Sequence, residues 1–342
     1  MGTSETSVFA PDYSQDFHCI ADRCRHSCCI GWEIDIDDVS LERYRQVPGR
    51  LGKKLRRCIY DPETGNDPEA VAHFILSKDE RCPFLNEKNL CELILSLGED
   101  AICDICTEHP RFYNTLTTRT EMGFGLCCEE AARMLLTWKT PIRLVETGTM
   151  SSEEEITEAD FDELEILAIR EKIFRILQDR AKDLRSRFDE IRDLVELPEQ
   201  AVLPDLSFWS ETLAELERLD PAWNDEIERL KDTVLDEAVL QAFEAFMCEA
   251  GRMTEYENLL WYLLYRHLPE AKDDGDIRAQ VIWAFLAVKI IGALGAWRYK
   301  ENGDFTLEDQ IDLVRMFSSE IEYSDENVEC LIEAIRDREY IL

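Results

Sequence analysis

Residues 281–297 read VIWAFLAVKIIGALGAW, an apolar run with a single charge at Lys289. Such a run is either a membrane span or the innermost helix of a helical domain. A span needs about 20 apolar residues. This one is cut by Lys289 and preceded by DDGDIR at 273–278. It therefore predicts a buried core helix, and around it a helical bundle. Upstream, FDELEILAIREKIFRILQDRAKDLRSRFDEIRDLVE at 161–196 repeats Leu, Ile and Phe at three- and four-residue steps, the period of an amphipathic helix, for at most about ten turns. Segments near Leu213, 230–246, 256–267, 277–300 and 307–338 continue the pattern, with no repeat of fixed period.

The periodicity stops at KTPIRLVETGTMSSEEEITEADF, 139–161, which reads as a connection. The expected division is a Cys-rich domain over 1–150 and an all-helical acidic domain over 151–342. The fold class is mainly α, with short strands and helices in an irregular, metal-binding first part. There, GWEIDIDD reads as an extended arm leading into a helix, and SLERYRQVPGRLGKKLRRCI as a helix from Ser40 broken at Pro48–Gly49. DPETGNDPE reads as a loop and AVAHFIL as a short strand. LCELILSLGEDAICDICTEHP predicts two short helices stopped by Pro110, and EEAARMLLTW a helix directly after Cys127–Cys128.

The chain has 342 residues, 38 basic and 73 acidic, for a net charge of −35. Residues 1–140 hold 16 and 24 of these and residues 141–342 hold 22 and 49, so the second part carries most of the excess. That field repels nucleic-acid phosphates and favours basic partners. The opening MGTSETSVFAPDYSQDF has neither a basic leader nor an apolar core of a signal sequence. The expectation is a soluble, cytoplasmic protein with no nucleic-acid and no membrane partner.

Eleven of the 13 cysteines lie before residue 129, and HCIADRCRHSCCIGW at 18–32 holds four. A chain this long needs no disulfide staples, and in a reducing compartment such clustering indicates metal or redox chemistry. Zinc usually takes paired Cys-x-x-Cys knuckles. Only Cys103 and Cys106 have that spacing, with no second knuckle to answer it. Adjacent Cys28 and Cys29 point apart on an ordinary backbone, which suits a body wider than one ion. Cys82-Pro83 is a dipeptide frequent among cluster ligands. Iron–sulfur is the favoured reading, with zinc and plain buried thiols left open.

Three stretches carry a resemblance: YSQDFHCIADRCRHSCCIGWEIDID, CPFLNEKNLCELILSLGEDAICDICTEHPRFYN and GLCCEEAARMLL. With RMFSSEIEYSDENVECL near the other end, they resemble the flagellin lysine-N-methylases. The resemblance implies metal ligands at Cys19, Cys24, Cys28, Cys29, Cys82, Cys91, Cys106 and Cys128, enough for one or two [4Fe–4S] clusters. Cys103 and Cys127 stand beside this pattern. Cys58, Cys248 and Cys330 fall outside it and read as small core residues. Two positions depart from the family: His109 in place of Tyr before Pro110-Arg111, and Tyr323 in place of His.

The resemblance further implies methyl transfer to lysine amines of flagellin or another lysine-bearing protein, with S-adenosyl-L-methionine as donor. The ammonium must lose its proton before it attacks, so such a site needs a proton acceptor and a desolvating slot. Asp37 and Tyr113 are the catalytic candidates, with Asp35 and Asn114 beside them. Arg111 and Arg133 would stabilise an anionic cluster, and His109 would stand near it. No glycine-rich loop follows a strand, so the donor site is not placed. The competing reading is non-enzymatic: an iron–sulfur or zinc scaffold that senses redox state.

Overall fold

The computed structural model describes residues 4–65, 71–152, 161–198, 206–231 and 237–339. The run at 281–297 lies inside one helix, Ile277–Asn302. It starts where the Asp276 side chain accepts the Ala279 N–H at 2.9 Å and ends at Gly303, whose left-handed φ of 70° closes it. The helix is long and apolar enough to cross a membrane, but 89% of its most apolar stretch is buried inside the protein. It is the core helix the sequence predicts. Around it pack the helices Glu237–Glu249, Thr254–His267, Leu307–Phe317 and Asp325–Glu339. Trp261, Trp283, Phe285 and Phe317 are among the largest side chains sealed there. Lys289 is half-buried, and desolvation lowers its pKa.

The pattern at 161–196 is not one long helix. It forms Phe161–Leu177 and Leu184–Leu194, the second started by Asp183, which accepts the Ser186 N–H at 2.8 Å. Beyond residue 161 the described elements are helical, as the periodicity predicts.

The division at residue 150 does not coincide with the compact units. One unit is residues 18–112; the other joins 1–17 to 113–342. The reason is a sheet that hydropathy hid. Strands β1 (Ser4–Pro11), β4 (Arg111–Thr115), β5 (Thr120–Phe124) and β6 (Leu144–Ser152) form four strands in the order β4-β5-β1-β6. β1 runs antiparallel to β6, from Ser4 opposite Ser152 to Pro11 opposite Leu144, with an irregularity between Val8 and Phe9. The supposed connection is thus in part a strand. β1 runs parallel to β5, with Val8 opposite Thr120. Parallel neighbours require a long crossover, and residues 18–112 lie within that connection.

Within 18–112 the local readings hold. Helices Asp38–Gln46 and Gly49–Cys58 are separated at Val47–Pro48. Only glycine fits at Gly52, where a Cβ would fall 1.7 Å from the Val47 carbonyl oxygen. Strands β2 (Ile59–Tyr60) and β3 (His73–Phe74) pair antiparallel, and Asp35 bridges to His73. Part of the DPETGNDPE loop, 66–69, lies outside the described residues, as does Ala70. The core of this unit is small: Ile34, Ile36, Leu41, Tyr44, Leu55, Phe74, Phe84 and Leu93 close over the buried thiols of Cys82 and Cys103.

Candidate metal centre

Three backbone devices bring cysteines from 29 to 106 together. In the first, Ile30 bridges to Arg81, and the Cys82 N–H donates to the Cys29 carbonyl at 2.9 Å, which sets these two cysteines side by side. In the second, the turn NEKN folds Cys91 back towards Cys82 through a bridge between Leu85 and Cys91. Asn86 Oδ1 accepts the N–H groups of Lys88 at 2.8 Å and Leu90 at 3.1 Å, an Asx turn that stabilises the loop. Arg81 ties it from outside through the Asn86 carbonyl at 2.6 Å. In the third, two short helices begin at cysteines: Cys91 precedes Glu92–Leu97, and Cys103 precedes Asp104–Glu108 with Cys106 on its first turn.

The five thiols of Cys29, Cys82, Cys91, Cys103 and Cys106 act on one another electrostatically. Burial pushes Cys82 up to about 12, and it raises Cys91 as well. Opposing this, backbone N–H groups of Phe84 and Leu85 favour the Cys82 thiolate, and those of Ile94 and Leu93 favour that of Cys91. Cys103 and Cys106 share a hydrogen bond that lowers the first and raises the second. Cys29 comes down to about 7 through its hydrogen bond with Cys28, against burial, with help from Ser27 and Arg81.

Packed among apolar side chains, most of these thiols are held neutral; a bound cation would reverse that balance. Among the described residues, no three Cys, His, Asp or Glu side chains converge closely enough to hold a single metal ion. Five mutually interacting thiols, several with N–H groups directed at them, fit a wider thiolate-bound body such as an iron–sulfur cluster.

The eight cysteines of the sequence pattern are not all in this core. Cys29, Cys82, Cys91 and Cys106 are. Cys19 is exposed; Cys28 is exposed too, but its thiol bonds that of Cys29 rather than pointing apart from it; and half-buried Cys24 donates its Sγ hydrogen to the His26 carbonyl at 2.9 Å. Cys128 belongs to the other unit, where it precedes the helix Glu129–Thr137. Cys103, set beside the pattern by sequence, is fully buried at 0% exposure. Its Cys-x-x-Cys spacing to Cys106 was the signal. Of the outlying cysteines, Cys58 packs against the small core, whereas Cys248 and Cys330 are exposed, contrary to the expectation of core residues.

Asp37 behaves as a cap. One carboxylate oxygen accepts the Ser40 N–H at 2.8 Å and the other the Asp104 N–H at 3.0 Å. Desolvation opposes its charge, but the N–H groups of Asp104 and Ser40 hold its pKa below the usual carboxylate value. Its role in the geometry is to fasten the helix that carries Cys106. Tyr113 lies on β4, part-exposed, in the other unit. Asn114 is spent on the carbonyls of Tyr265 and Arg266 at 3.3 and 2.9 Å. Arg133 pairs with Glu308 and Glu129. Arg111 donates to the Thr107 carbonyl at 2.9 Å. His109, its pKa lowered to about 4 by burial, lies against Trp32 at 5.4 Å.

In the larger unit, the GLCC and EIEYS segments meet. Gly125 lies so close to Tyr323 that a Cβ there would fall 2.1 Å from the Tyr323 hydroxyl. The Arg266 guanidinium sits 5.0 Å from the Tyr323 ring centre and donates to the Tyr262 hydroxyl at 2.9 Å. Beside it, His267 Nε2 is 3.0 Å from buried Glu322. The sequence marks Tyr323 only as a departure from the family, and it does not mark Arg266, His267 and Glu322, whose contact joins segments distant in the chain.

Comparison with known proteins bears on this larger unit. The family described as FliB lysine N-methylase C-terminal domain matches residues 143–341, more than half the chain. A protein named Lysine-N-methylase from Salmonella choleraesuis (strain SC-B67) is 25% identical over 146 residues, and its namesake from Salmonella typhimurium is 25% identical over 132. Each match covers 39% of this chain and 33% of the relative, so it spans about a third of the length of these relatives. The Flagellar biosynthetic protein FliU of Salmonella muenchen is 24% identical over 132 residues, 78% of its length. No solved structure matches the chain.

Proposed function

The chain belongs to the FliB lysine N-methylase family, and from that premise we propose that it transfers methyl groups to lysine amines of a flagellin, with S-adenosyl-L-methionine as donor and an iron–sulfur cluster in residues 18–112. It acts as a cytoplasmic enzyme on a protein substrate. Family membership supports the methyl group. The flagellar name of one relative supports the substrate class, and the excess of 49 acidic over 22 basic residues in 141–342 suits a partner that presents lysines.

The single observation that carries the cluster is the five-thiol core. It lies outside the segment that matches the family, and so supports the metal independently of the name. Its members Cys29, Cys82, Cys91, Cys103 and Cys106 would hold the group. The cluster would supply redox or radical chemistry, or would simply brace the fold. The chain's own task is to bind the lysine, exclude water and take up the amine proton.

Incubation of the full chain with S-adenosyl-L-methionine and its host's flagellin should add the mass of one or more methyl groups to lysines, read by peptide mass spectrometry. Unmodified lysines, with iron and sulfide present in the protein, would instead support the redox scaffold.

A further inference from the structure

We propose that the Tyr44 hydroxyl donates a hydrogen bond to a sulfur of the group held by the five-thiol core and thereby tunes its reduction potential. The proposal rests on the iron–sulfur reading above and assigns a role to a residue outside every cysteine motif.

Tyr44 lies on the helix Asp38–Gln46 and is 1% exposed, its ring 6.1 Å from that of Phe74. Its hydroxyl is buried with no hydrogen-bond partner among the described residues. An unsatisfied buried hydroxyl costs about 1–3 kcal/mol, and folded proteins keep few of them. Phenylalanine would fill the same volume at no such cost. Tyr44 packs in the same buried cluster as Cys82 and Cys103, with Cys91 and Cys106 against it, and the charged or titratable groups that act on it are the thiols of Cys103, Cys106 and Cys91 and the carboxylate of Asp37. Asp37 is already occupied by the N–H groups of Ser40 and Asp104. A neutral thiol is a poor acceptor. A thiolate or sulfide in the middle of the core is a good one, because it is charged.

An ordinary phenol, with a pKa of about 10, is protonated and able to donate at neutral pH. A donor aimed at sulfur stabilises the more negative, reduced state and raises the potential. No proton is transferred.

The test compares the full chain with its Tyr44→Phe variant, both purified without oxygen and reconstituted with iron and sulfide. Iron and sulfide content should be equal. The variant's midpoint potential should be lower, with about a tenfold smaller reduced-to-oxidised ratio at a fixed poise, or about 59 mV for one electron. The electron paramagnetic resonance signal of the reduced state should shift with it. Equal potentials and equal spectra at full iron content would overturn the proposal, as would loss of iron from a variant that keeps its circular dichroism. If Tyr44→Phe does not fold, a fluorinated tyrosine at position 44, a stronger donor, should raise the potential, and an unchanged potential overturns the role. A wild-type chain that takes up neither iron nor sulfide overturns the iron–sulfur reading itself, and this proposal with it. A wild type that takes up both, with an unmoved potential, overturns only Tyr44's part.

Discussion

The two compact units bury side chains on different terms. Around Ile277–Asn302 the interior is aromatic and aliphatic, with Trp223, Trp261 and Trp283 fully enclosed. In residues 18–112 the interior is small, and its middle is sulfur: Cys82 and Cys103 are buried, with Cys29, Cys91 and Cys106 packed against them. That unit holds nine of the 13 cysteines and has 13 basic to 18 acidic residues, against 25 to 55 in the rest. The difference teaches which unit stands on its own packing. Apolar burial repays chain entropy in the larger one. In the smaller one, irregular chain has to be ordered at about 1–2 kcal/mol per residue, and polarisable thiols held against their charged form are a weak substitute for core. A bound metal group would supply the missing stability.

The strongest attempt to break this contrast removes the metal. On chelation of iron, amides of residues 18–112 should lose hydrogen-exchange protection while those of Ile277–Asn302 keep theirs. Cys103→Ser and Cys82→Ser should lose most bound iron, whereas exposed Cys330→Ser should lose none and change stability by no more than about 0.5 kcal/mol. Equal iron in all three would dissolve the five-thiol core as a site, and equal loss of protection in both units would abolish the contrast.

The next probe acts on the larger core. Trp283, 0% exposed and stacked 5.9 Å from Phe317, should cost about 3–5 kcal/mol when replaced by alanine, measured by denaturant unfolding. Iron content should not follow it while the protein stays folded.

A smaller effect concerns pH. His267 is buried, with Nδ1 3.1 Å from Glu270 and Nε2 3.0 Å from Glu322. Burial and Arg266 disfavour its charge, but the two carboxylates outweigh them and its pKa is raised. In the folded state it thus binds its proton more tightly than in the unfolded chain. The stability it adds is complete below its ordinary value of about 6.5 and is lost as pH rises through the higher folded value. The margin of wild type over His267→Gln should therefore shrink as pH rises through that window. Glu322 titrates the opposite way: burial opposes its charge, yet Arg266 and His267 hold its pKa down, so its contribution fades in acid. A margin that stays flat across the imidazole range would remove the charge from His267.

The smallest change sharpens the reading of Asp37. As a helix cap, its replacement by alanine should cost about 1 kcal/mol and at most about 2. The loss should appear in the local exchange of 38–46 and 104–108, the two helices whose starts it binds.

Sequence alone determined the helical character of the chain, because period and capping are local. The apolar run at 281–297, the break at Pro48 and the two short helices before Pro110 are each set within a few turns of the residues that cause them. It also sets the expectation that the cysteines serve chemistry, because their crowding exceeds what packing needs. What only the tertiary structure decided was partnership across distance. β1 finds β6 more than 130 residues away, which moves the unit boundary from 150 to 18 and 112. Strands with little alternation leave no periodic mark, and their pairing is written in the partner. Cys91 enters the thiol core because the turn at 86–90 folds it back, Cys103 sits at the start of a helix fastened by Asp37, and Cys128 falls in the other unit. Tyr44 sits on an ordinary amphipathic face in the sequence. Only in the fold does its hydroxyl end up, among the described residues, without a partner in the cluster that buries Cys82 and Cys103, since an unsatisfied group is a property of everything around it.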